Sequence, residues 1–121
     1  MSGTVKENSG KNESTLYSYS AAKGGVLKKV EEFKIKTHWT DEGYDVMIDI
    51  SISEKRGGTY YIGTASLYTG EFFCLTMEEG MMTLVGKINI REPGIQTCLV
   101  KYNHGKFWAT GDDGKINMIT F

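Results

Sequence analysis

Proline is almost missing from this chain, with Pro93 the only one in 121 residues, and cysteine and histidine are scarce at two each. One proline leaves the strand interiors free of a residue that cannot donate to a ladder. Cys74 and Cys98 cannot build a multi-bridge scaffold, and there is no C-x-x-C or H-E-x-x-H spacing to hold zinc. His38 and His104 are too few for most metal or triad constellations. No G-x-S-x-G elbow is present, and Gly57-Gly58-Thr59 is not followed by the Lys-Ser/Thr of a phosphate-binding loop. Catalytic residues, metal ligands and cofactors are therefore all expected to be none, and the chain is read as a non-enzyme.

Charge of one sign is also lacking. Fourteen basic against fifteen acidic residues give a formal charge of −1 and a pI near 6.1. Nucleic-acid binding, which neutralises phosphates with Lys and Arg, is not expected. Lys28, Lys29, Lys34 and Lys36 are interrupted by Glu31 and Glu32 and read as a solvated face. No run reaches the roughly 18 apolar residues that span a bilayer, and no apolar segment follows Met1. No membrane association and a cytoplasmic location are the expectations, which two thiols in apolar segments suit.

What the chain does contain is alternation. Residues 1–24 are rich in Ser, Gly and Asn and read as a polar, flexible leader. From residue 25 to residue 121 short apolar segments alternate with turns, which predicts a single all-β domain. In Asp45-Val46-Met47-Ile48-Asp49-Ile50-Ser51-Ile52 the even positions are β-branched and predict an inward face, with Asp49 and Ser51 toward water. Thr59–Ser66, Phe72–Met77, Met82–Ile90, Gln96–Tyr102, Phe107–Gly111 and Ile116–Phe121 follow as strands. Asp113-Gly114 is read as a tight turn. About eight antiparallel strands in an up-and-down meander result.

The meander reads as two similar four-stranded units, 25–77 and 80–121. Val30, Phe33 and Ile35 fall opposite Val85, Ile88 and Ile90, and Tyr61-Ile62-Gly63-Thr64 falls opposite Phe107-Trp108-Ala109-Thr110. Thr97–Asn103, a turn with Gly105, then Phe107-Trp108-Ala109-Thr110-Gly111-Asp112-Asp113-Gly114-Lys115-Ile116 resembles the middle of a WD40-like β-propeller blade. The first unit resembles it through Ile62-Gly63-Thr64-Ala65-Ser66, Gly70 and Phe72-Phe73-Cys74-Leu75. Neither unit ends in Trp-Asp or opens with Gly-His. The resemblance implies propeller-like blades, and two blades cannot close a ring alone. The structural alternative is a single small barrel or sandwich of the same strands.

Adjacent aromatics carry the functional expectation. Tyr60-Tyr61, Phe72-Phe73 and Phe107-Trp108 each send one ring to either side of a strand. Trp39, Tyr60 and Trp108 are the candidate interface residues, since surface Trp and Tyr anchor protein contacts. The leading expectation is a binding or scaffold protein acting through a protein–protein interface, with a protein partner or a homo-oligomer. Its alternative is a carrier of a small apolar ligand within a closed barrel lined by Tyr, Phe and Met. Asp45 and Asp49, about 13 Å apart by strand rise, are too distant for a catalytic carboxylate pair.

Overall fold

The computed structural model describes residues 13–21, 23–37, 45–92 and 95–120. Its nine strands are β1 (Glu13–Ala21), β2 (Leu27–Lys36), β3 (Met47–Ile52), β4 (Tyr60–Ser66), β5 (Glu71–Glu78), β6 (Met81–Asn89), β7 (Thr97–Asn103), β8 (Lys106–Gly111) and β9 (Ile116–Ile119). All pair antiparallel, in a hairpin β1-β2, a four-stranded sheet β3-β4-β5-β6 and a three-stranded sheet β7-β8-β9. The fold is all-β, as the alternation predicts. Among the described residues no helix is long and apolar enough to cross a membrane.

Turn chemistry sets the hairpins. β5–β6 turns through Glu79-Gly80 and β7–β8 through His104-Gly105, and all four residues have positive φ. Two-residue turns of that hand match the strand twist, and the glycine removes the penalty at its position.

Two apolar clusters lie on opposite faces of the middle sheet. On one, Ile62, Phe73, Leu75 and Met82 meet Ile35 from β2. On the other, Ala65 and Phe72 meet Val100, Phe107 and Ala109 from β7 and β8. β4 is consequently covered on both sides and is buried from Ile62 through Ser66. Phe107 approaches so closely that a Cβ on Gly63 would lie 2.7 Å from its ring, so this strand position tolerates only glycine.

Three features depart from the sequence expectations. The leader expected over residues 1–24 contains β1, whose Ser14 and Ser18 act through hydrogen bonds rather than apolar area. Ser14 Oγ accepts the Met47 amide and Ser18 Oγ donates to the Gly80 carbonyl. The sheets do not divide at residues 77–80: β6 pairs with β5, and β2 pairs with β1 rather than with β3. The strands form three separate stacked sheets, with no ladder among the described residues closing them into a barrel.

Candidate interaction surface

The third sheet has one buried and one open face. Val100, Phe107 and Ala109 point into the core, so their neighbours point away by the two-residue period. The β7-β8-β9 register sets Lys101, Trp108 and Met118 in one row and Leu99, Thr110 and Ile116 in the next. Leu99, Ile116 and Met118 are 49%, 67% and 53% exposed. Trp108 stands half-buried between Lys101 and Met118, and its indole Nε1–H donates to the Asn103 carbonyl at 3.2 Å. The ring is thereby held in one orientation with its apolar body presented outward.

Tyr60 lies elsewhere, half-buried at the start of β4, with Lys55 Nζ 6.0 Å from its ring centroid. It borders a cleft with Gly57, Gly58, Met77 and Met81. Tyr60 and Trp108 are not brought together. Trp39 lies outside the described residues, as does His38. Sequence reasoning found Trp108 through the Phe107-Trp108 pair but passed over Leu99, Ile116 and Met118, whose signal is the same alternation read across three strands.

β3 reverses the expected facing. Ile48, Ile50 and Ile52 are 40–49% exposed: β1 reaches β3 through the Ser14–Met47 hydrogen bond but leaves open clefts beside these isoleucines. Asp49 and Ser51 turn toward β7 instead, accepting the amides of Val100 and Tyr102 at 2.9 and 2.8 Å.

Several polar groups are committed to structure. Asp45 is fully buried; its carboxylate accepts the amides of Val46, Tyr68 and Thr69 and the Thr69 hydroxyl. Arg91 has a side chain with no exposure, packed against Gly111, with Nη1 3.3 Å from Asp113 Oδ1. The Glu54 carboxyl is held below its usual range by a hydrogen bond from Tyr102, whose phenol that bond raises. Both cysteines are free; Cys98 is exposed, contrary to a buried role, and burial pushes the half-buried Cys74 thiol up. No group of three or more acidic, His or Cys residues could hold a metal among the described residues.

Comparison with protein-family models, curated proteins and solved structures finds no match to this chain.

Proposed function

We propose that this chain is a non-enzymatic binding module that acts through a protein–protein interface on the open face of the third sheet. One observation carries the reading. Leu99, Ile116 and Met118 stand exposed around an oriented Trp108, on a sheet whose opposite face is already core. An aromatic with apolar side chains on one flank and Lys101 and Thr110 on the same face matches an apolar interface centre with polar groups at its edge. The stacked meanders are the scaffold that presents it, and a cytoplasmic setting is part of the same proposal.

The partner is a different protein rather than a second copy. Three strands spaced about 4.8 Å apart, each about 17 Å long, offer roughly 240 Å² of projected area. A stable interface buries about 800 Å² per partner, so a symmetric contact confined to this face on both copies is too small to last. A larger partner that also reaches past the rim of the sheet is not so confined. Light scattering on the purified full chain tests this choice: a monomer is expected at micromolar concentration. A stable dimer that Met118→Glu dissociates would contradict it.

A further inference from the structure

The two stacked sheets are unequal, and the inequality leaves a strand-shaped vacancy. The middle sheet has four strands and the third sheet has three. The third sheet begins over β3, where Asp49 and Ser51 hold β7, and Phe107 of β8 sits on Gly63 of β4 and Phe72 of β5. It ends at β9, which among the described residues pairs only with β8. Beyond β9 the same face of β6 is uncovered, and Val85 and Ile88 are 55% and 58% exposed. A groove of about 400 Å³ runs there, bordered by Ile119 on β9 and floored by Phe72, Cys74, Gly86 and Ile88.

We propose that this groove receives one extended segment of a partner protein, added as a fourth strand to the free edge of β9. The proposal rests on the binding-module reading and specifies how the partner is held. An unpaired strand edge offers backbone donors and acceptors in a row, and alternate side chains of an added strand point to one face. The inward residues of the segment are apolar, since Phe72, Cys74 and Ile88 meet them. Nothing lies within 4 Å of a Cβ at Gly86, which leaves room for a large inward side chain beside it. Lys87 alternates to the opposite face, where its Nζ lies 3.7 Å from Glu71 Oε2, so the groove floor is apolar and selects apolar inward side chains.

Geometry and composition exclude two other occupants. Antiparallel pairing of β9 with β9 of a second copy needs a two-fold axis perpendicular to the sheet. Both β6 strands would then extend beneath the same junction and collide. Residues 1–12 of this chain carry only Met1 and Val5 as apolar residues and lack the required alternation.

The test uses the full chain, labelled for amide detection by nuclear magnetic resonance. It is titrated with an eight-residue peptide of alternating valine and threonine bearing an aspartate at each end. Saturable binding is expected, with shifts and slowed amide exchange at Asn117–Ile119. A peptide of the same composition with its valines in one block is expected not to bind. Gly86→Leu fills the groove and is expected to weaken binding about tenfold or more; Ile88→Glu serves if the first variant loses its dispersed amide spectrum. Equal binding of both peptides, or no binding, overturns strand addition. Shifts at Leu99 and Trp108 instead of β9 overturn it while leaving the open-face interface standing.

Discussion

Asp49 Oδ2 accepts the Val100 amide at 2.9 Å, and one full period along both strands Ser51 Oγ accepts the Tyr102 amide at 2.8 Å. Two side chains of β3 thus satisfy backbone donors on the free edge of β7, where a neighbouring strand would otherwise stand. The face of β3 that looks like the wet side of a strand is the seam between two sheets. This seam fixes the third sheet on the second and so orients Trp108 outward.

Removing that acceptor loosens the third sheet. Asp49→Ala leaves the Val100 amide without its charged partner and is expected to cost about 1.5–3 kcal/mol, and Ser51→Ala about 1 kcal/mol. Asp49→Asn keeps an acceptor oxygen and costs less than Asp49→Ala. Urea unfolding with unchanged m-values checks all three.

Asp45 is the second structural acid. Three of its four hydrogen bonds hold the turn from Ser66 to Gly70 and the fourth takes the Val46 amide, so Asp45→Ala strands several donors in a buried site. A loss of about 3 kcal/mol or more is expected, larger than for Asp49→Ala. Comparison of urea midpoints decides the order.

Gly63 and Gly86 give a matched pair. A Cβ at Gly63 would sit 2.7–2.8 Å from Phe107 and Phe72, whereas one at Gly86 meets nothing within 4 Å. Gly63→Ala is expected to cost about 1–3 kcal/mol by overpacking. Gly86→Ala leaves the thermal midpoint almost unmoved.

The pair formed by buried Arg91 and solvent-reaching Asp113 is expected to respond asymmetrically. Asp113→Ala leaves a buried guanidinium without its carboxylate and costs about 1–3 kcal/mol, the solvent-reaching partner limiting the loss. Arg91→Met removes the buried charge and two nitrogens, Nε and Nη2, that have no hydrogen-bond partner among the described residues. It is expected to be close to neutral, again read from urea unfolding.

The two thiols differ in reach. Cys98 is exposed and Cys74 is half-buried with its pKa raised by desolvation. Ellman's reagent at pH 8 is expected to modify Cys98 first and Cys74 in a slower second phase, since the thiolate is the reacting form. Cys98→Ser removes the fast phase alone.

The all-β class was legible because Phe72–Met77, Thr97–Tyr102 and Phe107–Gly111 alternate, and because glycine-bearing turns sit between them. Trp108 was legible because Phe107 beside it had to take the core. β1 was not: of its inward residues only Leu16 is large and apolar, while Ser14 and Ser18 hold it by hydrogen bonds that no hydropathy pattern records. The facing of β3 was misread because Ile48, Ile50 and Ile52 outweigh Asp49 and Ser51 in apolar area. Two amides on another strand decided the outcome, and they lie 51 residues away in the chain. The sheet boundaries were hidden for a related reason, since β6 would alternate the same way with either neighbour.

The face around Trp108 is proposed to meet a protein partner. The most direct measurement of this is site-specific photocrosslinking in cells, with the crosslinker placed at position 118 on that face or at Lys34, which is exposed on the first hairpin. The account predicts one protein captured from position 118, lost when Trp108→Ala is added, and not captured from position 34. Capture of the same proteins from both positions, indifferent to Trp108, would contradict it.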